Sequence, residues 1–381
     1  MTSTHSIFIA GGGGIGRALG LMLLEEPSFP CKITIGDISL EAAEEAVRFA
    51  TLAGGEARAL AMPSEGSSPE LDAALAGADA ILDGLPGSQA PRIARLAREH
   101  GCHYLNLTEY VAETEECLAI ADGADTCFAL QCGLAPGVIN VIGHHLFQTA
   151  CSEWGTDKVE ALRMRVGALP RYVRGPHMYG WTWSPAGVAT EYVEKAIAVR
   201  DYETVRIPSL SERQSLFVED LELEEDLTSG GAADLPQALA GRVRDLDYKT
   251  LRHPGHYGWV DKLLETIPPG EDRAARLQER MEASIPRCED DHVVIYADVE
   301  GLDSRGELRI KKIAQVVPPL ELAGQRLRAI QSTTAAGIAE VLRLVLEEGR
   351  RGPLLQSQLP THAYLYEGPF VPRAYGELTV I

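Results

Sequence analysis

The residues best placed to do chemistry crowd into one short stretch, Tyr248-Lys249-Thr250-Leu251-Arg252-His253-Pro254-Gly255-His256-Tyr257. Two histidines, a lysine and an arginine lie within nine residues and run into a Pro-Gly turn, so several polar heads can converge on one cleft. Hydride transfer needs such a set: a group that shuttles a proton and a cationic or amide clamp that orients a charged substrate. A charged surface loop has the same composition. Thr228-Ser229-Gly230-Gly231 adds hydroxyls and amides that suit a carboxylate. Tyr179-Gly180-Trp181-Thr182-Trp183 supplies aromatics that serve equally as a substrate wall or as core, just ahead of Ser184-Pro185, which reads as a helix N-cap with proline at the first position.

A second constellation opens the chain. The run Ser6 to Ala10 leads into Gly11-Gly12-Gly13-Gly14-Ile15-Gly16, and an apolar helix follows. Gly11, Gly13 and Gly16 fit the pattern G-x-G-x-x-G, in which the first glycine makes the tight turn and the second admits a pyrophosphate. The third lets helix and strand pack closely, while amides at the helix start, around Gly14 and Ile15, face the anion. Asp37 ends the next strand 21 residues after Gly16, where an acid binds the adenine ribose hydroxyls. Asp37 repels a 2′-phosphate and Ile38 and Ser39 supply no arginine for one, so NAD is the expected cofactor, with NADP kept open by Ser39. Leu85 and Pro86, in the loop Gly84-Leu85-Pro86-Gly87, are expected beside it at the carboxyl edge of the sheet.

Elements that position these residues follow from the hydrophobic pattern. Strands are predicted at Ser6 to Ala10, Lys32 to Ile35, Ala57 to Met62, Ala80 to Leu85, Tyr104 to Leu107 and Thr126 to Leu130, with helices at Ile15 to Glu25, Leu40 to Leu52 and Gln89 to His100. That alternation is the mark of a doubly wound parallel sheet. From Lys158 onward the rhythm changes, and an antiparallel hairpin is predicted from His292 to Val299 and Leu308 to Val317. A helix from about Ser332 to Glu348 is expected to pack back on the first domain. The tail beyond Gly349, with four prolines, is expected to be extended.

Composition bounds the reading. The 381 residues exceed what one core usually serves, so two domains are expected. Thirty-five basic against 55 acidic residues leave a net charge of −20, which repels nucleic acid and anionic lipid. No run of about 18 to 20 apolar residues and no leader pattern is apparent, so neither a membrane nor secretion is expected, and the location is taken as cytoplasmic. Seven cysteines without a C-x-x-C pair read as reduced thiols. His144-His145 lacks metal-ligand spacing, and no metal is assigned. The run Glu219 to Asp226 reads as a solvated acidic face.

Taken in order, the glycine loop, Cys132-Gly133-Leu134-Ala135-Pro136-Gly137, Ser184-Pro185-x-Gly187 with Glu191-Tyr192, Ile207-Pro208-Ser209-Leu210-Ser211-Glu212, Thr228-Ser229-Gly230-Gly231 and Lys249-Thr250-Leu251-Arg252-x-Pro254-Gly255-His256 resemble the saccharopine dehydrogenase-like family over most of the chain. The middle segments are most similar to lysine 6-dehydrogenase. The resemblance implies an α/β protein with an N-terminal Rossmann domain over residues 1–135 and a mixed-sheet substrate and dimerisation domain over 136–328. It further implies a helix over 329–350 returning to the first domain, followed by the tail 351–381. It implies NAD(P)-dependent oxidation at a C–NH bond of an amino acid, most simply lysine 6-dehydrogenase-like deamination by a homodimer. The alternatives are a reductive condensing enzyme of the saccharopine reductase or carboxynorspermidine dehydrogenase type, or a dinucleotide-binding regulator without catalysis. On this resemblance Lys249 or His256 handles the proton, Arg252 clamps the substrate carboxylate, and Thr228 and Ser229 support it; Tyr179 and Trp181 are expected beside the substrate from their residue types, the paired aromatics being a departure from the lysine enzyme.

Overall fold

The computed structural model describes residues 4–173 and 175–381. The first unit begins with β1 (His5–Ala10), α1 (Gly14–Glu25), β2 (Cys31–Asp37), α2 (Leu40–Ala50), β3 (Glu56–Ala61), α3 (Pro69–Leu75), β4 (Ala80–Asp83), α4 (Ala90–His100), β5 (His103–Asn106), α5 (Val111–Ala121) and β6 (Cys127–Ala129). The strands are parallel in the order β3-β2-β1-β4-β5-β6. Ile7, Phe8, Ile9 and Ala10 are all buried, because a parallel strand covered on both faces must be apolar throughout. Ser39 and Ser68 start their helices by accepting from Ala42 N and Leu71 N, both at 3.2 Å. The six predicted strands are all present, with ends shifted by at most two residues.

The second unit starts within α6 (Val138–Trp154) and runs through β7 (Val159–Pro170), α7 (Pro185–Val193), β8 (Ala196–Arg200), β9 (Glu203–Ile207), β10 (Gln214–Val218), β11 (Leu221–Leu227), α8 (Leu235–Leu239), β12 (Val243–Arg252), α9 (His256–Glu265), α10 (Arg273–Glu282), β13 (Asp291–Leu302) and β14 (Leu308–Val317). Its mixed sheet has the order β10-β11-β12-β7-β13-β14, with β8 and β9 attached to β12. β12 runs parallel to β7, and the other pairs are antiparallel. The fold is therefore α/β, a Rossmann-type parallel sheet followed by a second, mixed-sheet domain.

Two sequence expectations are corrected here. The acidic run is only in part a solvated face: Glu219, Asp220 and Glu222 are exposed, whereas Glu225 and Asp226 are buried in β11, where Arg165 and Arg213 neutralise them. Nor is the tail simply extended. After β15 (Leu320–Leu322), β16 (Gln325–Leu327) and α11 (Ala329–Glu348), the chain adds β17 (Gly352–Leu354) to the first unit as a seventh parallel strand beside β6. A helical turn at Ala363–Glu367 and α12 (Phe370–Tyr375) follow. Buried Glu340 of α11 holds α12 by accepting from Phe370 N at 3.0 Å and Val371 N at 3.3 Å. α11 is long and apolar enough to cross a membrane by composition, and 78% of its apolar window is buried within the protein, as in a core helix.

Candidate functional site

In the first unit the glycine loop joins β1 to α1. Gly11 takes φ +108°, a conformation that favours glycine, and a Cβ at Gly16 would lie 1.9 Å from the Gly11 carbonyl oxygen. Gly12 is equally constrained, since its Cβ would come within 2.8 Å of the Ala42 carbonyl oxygen on α2. Gly13 differs: a Cβ there would meet no protein atom within 4 Å, so its backbone faces open space. No side chain caps the start of α1, and its first-turn amides at Gly14, Ile15 and Gly16 are left for an anion. A cradle this shallow, with glycine on all sides and a helix N-terminus behind it, fits the pyrophosphate of a dinucleotide.

Asp37 ties the loop to the end of β2. Its Oδ2 accepts from Gly12 N at 2.8 Å and its Oδ1 from Ser39 N at 3.0 Å. Ile38 beside it is 70% exposed, an apolar surface suited to an adenine face. On the other side of β1 the loop after β4 begins with Gly84 N donating to Ala10 O at 2.9 Å, and it packs against the glycine loop. Its conformation is held from below by Asp83, which sequence reasoning missed. The buried carboxylate accepts from Leu85 N at 3.1 Å and from the Tyr104 hydroxyl at 2.8 Å. Burial pushes this carboxyl up to about 6, against the lowering effect of those two bonds. Leu85 and Pro86 thus stand at the carboxyl ends of β1 and β4, at the switch point of the strand order, where dinucleotides bind in open α/β sheets.

In the second unit the polar cluster divides. β12 alternates its side chains, so Lys249 and Leu251 take one face of the sheet while Tyr248, Thr250 and Arg252 take the other. Lys249, 2% exposed, belongs to an ionic layer: its Nζ donates to Glu212 O at 2.6 Å and lies 3.4 Å from Glu225 Oε1. Arg165 continues the layer to Glu225 at 2.7 Å and Asp247 at 2.6 Å, and Arg200 reaches Asp247 at 2.9 Å. Burial pushes the Asp247 carboxyl up, and Arg165, Arg200 and Lys249 outweigh that and hold it below the usual range. Lys249 thus lies on the sheet face opposite Arg252, inside the ionic layer.

Arg252 and His256 do come together, through Tyr192, a residue to which the sequence reading gave no role. His256 Nδ1 lies 2.6 Å from the His177 carbonyl oxygen, which can only accept, so Nδ1 carries the proton and Nε2 is the acceptor. The Tyr192 hydroxyl, 3.0 Å from Nε2, donates to it and in turn accepts from Arg252 Nε at 2.7 Å. Burial, then the Arg252 charge, pushes His256 down to about 3, which keeps it neutral. Arg252 is 1% exposed, with its guanidinium 4.8 Å from the Tyr179 ring centroid and 5.6 Å from that of Tyr192. Nη1 donates to Leu251 O at 3.0 Å, whereas Nη2 is buried without a hydrogen-bond partner. No salt bridge reaches this arginine among the described residues, although the buried Glu191 carboxylate acts on it.

The remaining candidates surround that group. Trp181 stands edge-on to Tyr179 at 5.7 Å, and both belong to a buried cluster with Tyr192, Tyr257 and Val260. Ser184 accepts from Gly187 N at 3.2 Å and starts α7 as its sequence predicts, which places Tyr192 two turns further on. The Thr228 hydroxyl is joined to that of Thr250 at 2.6 Å, and Ser229 is tethered by its amide to Glu191 O at 3.0 Å. Asn140 Nδ2 donates to Gly231 O at 2.9 Å and secures the same loop.

Comparison with known proteins gives a consistent picture. The family model of the saccharopine dehydrogenase NADP binding domain matches residues 7–127, and that of the saccharopine dehydrogenase C-terminal domain matches residues 133–366. Among solved structures, saccharopine dehydrogenase (L-Glu forming) from Saccharomyces cerevisiae is similar with a TM-score of 0.71 and 14% identity, over 95% of this chain and 97% of that one. Homospermidine synthase from Legionella pneumophila, in complex with NAD, gives a TM-score of 0.71 and 12% identity over 100% and 92%. At these identities the two structures share the fold.

Proposed function

The chain belongs to the saccharopine dehydrogenase family and carries its NAD(P)-binding domain, and from that premise we propose that it oxidises the C–NH bond of an amino acid, in the manner of a lysine 6-dehydrogenase. The observation that carries the reading is Arg252: a buried cation whose Nη2 has no hydrogen-bond partner and which makes no salt bridge among the described residues, although the buried Glu191 carboxylate acts on it. A buried donor left without a hydrogen bond is costly, and an α-carboxylate is an anion that would satisfy it. Entry of that carboxylate requires a tyrosine ring against the guanidinium to shift.

The bound nicotinamide supplies the acceptor for the hydride that leaves the carbon next to nitrogen. The protein's own groups bind and orient. His256 acts as a positioning residue, since its fixed tautomer directs the Tyr192 hydroxyl and thereby the guanidinium. Thr228 and Ser229 support the substrate loop, Tyr179 and Trp181 line it, and Lys249 serves the ionic layer. The dinucleotide would be held by Gly11, Gly13, Gly14, Ile15 and Gly16 with Asp37, Ile38, Leu85 and Pro86. The working form is proposed as a homodimer, the commonest symmetric assembly.

NAD is preferred over NADP in this reading because of Asp37. Asp37→Ser is expected to weaken NADH about 10- to 100-fold, the worth of hydrogen bonds to a charged group, while NADPH binding is unchanged or improved. Titration of both cofactors checks it, and an unaltered preference would remove Asp37 from the ribose site. The activity itself is tested by steady-state assay with NAD and single amino acids. Turnover of lysine alone supports the deaminating reading, a strict need for a carbonyl partner favours the condensing type, and cofactor binding without turnover on any amine favours a regulator.

A further inference from the structure

One acidic residue at the cofactor edge of the first unit is used by nothing described so far. Glu109 lies in the loop between β5 and α5, and β5 stands next to β4 in the sheet. Dinucleotides in such sheets extend across the carboxyl ends of the strands from the switch point. With the ribose acid Asp37 at the end of β2 and the pyrophosphate loop at β1, the far end of the cofactor falls towards the loops that follow β4 and β5. These two loops touch: a Cβ at Gly87 would lie 2.4 Å from Thr108 Oγ1 and 2.8 Å from Tyr110 Cδ2.

The backbone around Glu109 is pinned on both sides. Thr108 is buried and its Oγ1 accepts from Tyr110 N at 3.3 Å, while Tyr110 O accepts from Thr114 N at 3.0 Å at the start of α5. The carboxyl has no partner outside its own residue, in contrast to Asp83, both of whose oxygens are engaged. The one charged group that acts on it is Glu113, one turn into α5, and no cation does. Burial, reinforced by Glu113, raises this carboxyl to about 7, where a group changes charge within the ordinary working range.

We propose that Glu109 is the catalytic residue that takes the proton from the substrate amine at the nicotinamide end of the cofactor. The proposal rests on the amine-oxidation reading above for its substrate and on the sheet topology for its place. The substrate arrives as R–CH2–NH3+. One N–H bond breaks, its electron pair stays on nitrogen, and the proton forms an O–H bond with the Glu109 carboxylate. The neutral amine then has the lone pair from which the neighbouring C–H can be released as hydride, and Glu109 returns its proton to water. Sequence reasoning had no signal for it, since a single Glu in a loop is unremarkable until the strand order is known.

The test uses the full-length protein and needs no substrate for its first arm. Affinities for NAD+ and NADH are titrated between pH 6 and 8.5 in wild type and in Glu109→Gln. A carboxylate forming near the nicotinamide favours the positively charged ring of NAD+ over the neutral ring of NADH, so the ratio Kd(NADH)/Kd(NAD+) is expected to rise at least ~3-fold with pH in wild type and to stay flat in E109Q. In the second arm, kcat with L-lysine and NAD+ is expected to climb through pH 7 in wild type and to fall about 10²- to 10⁴-fold in E109Q, with NADH still bound. A pH-independent ratio in wild type overturns the placement of Glu109, whether or not lysine is oxidised. An unimpaired kcat in E109Q overturns its proton-accepting role. A pH-dependent ratio lost in E109Q, with no turnover of any amine, supports the placement and overturns the amine-oxidation reading instead.

Discussion

Gly16→Ala is expected to abolish dinucleotide binding and to destabilise the protein together. The added Cβ lies 1.9 Å from the Gly11 carbonyl oxygen, well inside contact distance, and both atoms belong to rigid backbone. Either α1 moves away from β1 or the loop opens, and overpacking of this sort costs about 1–3 kcal/mol or more. The amides at the start of α1 then no longer point at a common anion, and NADH affinity should fall by more than about 100-fold. Gly13→Ala supplies the contrast. Its Cβ meets no protein atom within 4 Å, so thermal stability should be unchanged while NADH binding still weakens, because the methyl occupies the space kept for pyrophosphate. Thermal melts and fluorescence titrations of the two variants separate the outcomes, and normal NADH binding by Gly13→Ala would mean that the loop holds no phosphate.

Arg252→Met is expected to cripple amino-acid binding. The wild-type guanidinium is buried, makes no salt bridge among the described residues although buried Glu191 acts on it, and leaves Nη2 unsatisfied. An apolar side chain of similar length removes the desolvation cost of the guanidinium and also takes the cation away from buried Glu191, two effects of opposite sign on stability. Tyr192 keeps its bond to His256 Nε2 when the arginine is gone, so the hydroxyl is not orphaned. If Arg252 receives the substrate carboxylate, KM for lysine should rise about 30-fold or more, since truncating one member of a buried charge pair costs about 2–5 kcal/mol. A variant that melts lower and keeps its KM would assign the guanidinium to the fold and deny it the carboxylate.

What was readable beforehand depended on distance along the chain. The glycine loop, Asp37 and the Ser184 cap are local patterns whose geometry is decided within a few residues, and the structure places them as their spacing requires. The division of the polar cluster was partly readable. Lys249 and Arg252 are three apart, which puts them on opposite faces of any strand. That parity was hidden because the Pro-Gly turn made the segment look like a loop. The acidic run misled for another reason: Glu225 finds Arg165 sixty residues away in the sequence, and no local pattern announces such a partner. Tyr192 gained its role only when the fold brought the end of α7 to the start of α9, joining it to His256 across 64 positions. Asp83 and Glu109 became visible once strand order showed which strand ends gather at one edge.

The seventh strand of the first sheet has a consequence for how this protein is made. β6 is paired with β5 on one side from early in synthesis, but its other edge waits for β17, more than two hundred residues later. At ~5–20 residues per second the ribosome needs tens of seconds to cover that interval. Throughout it, the nascent N-terminal half presents an apolar strand edge, Cys127-Phe128-Ala129, with its amides and carbonyls unmatched. Gly352–Leu354 therefore act as a seal on a domain synthesised well before them.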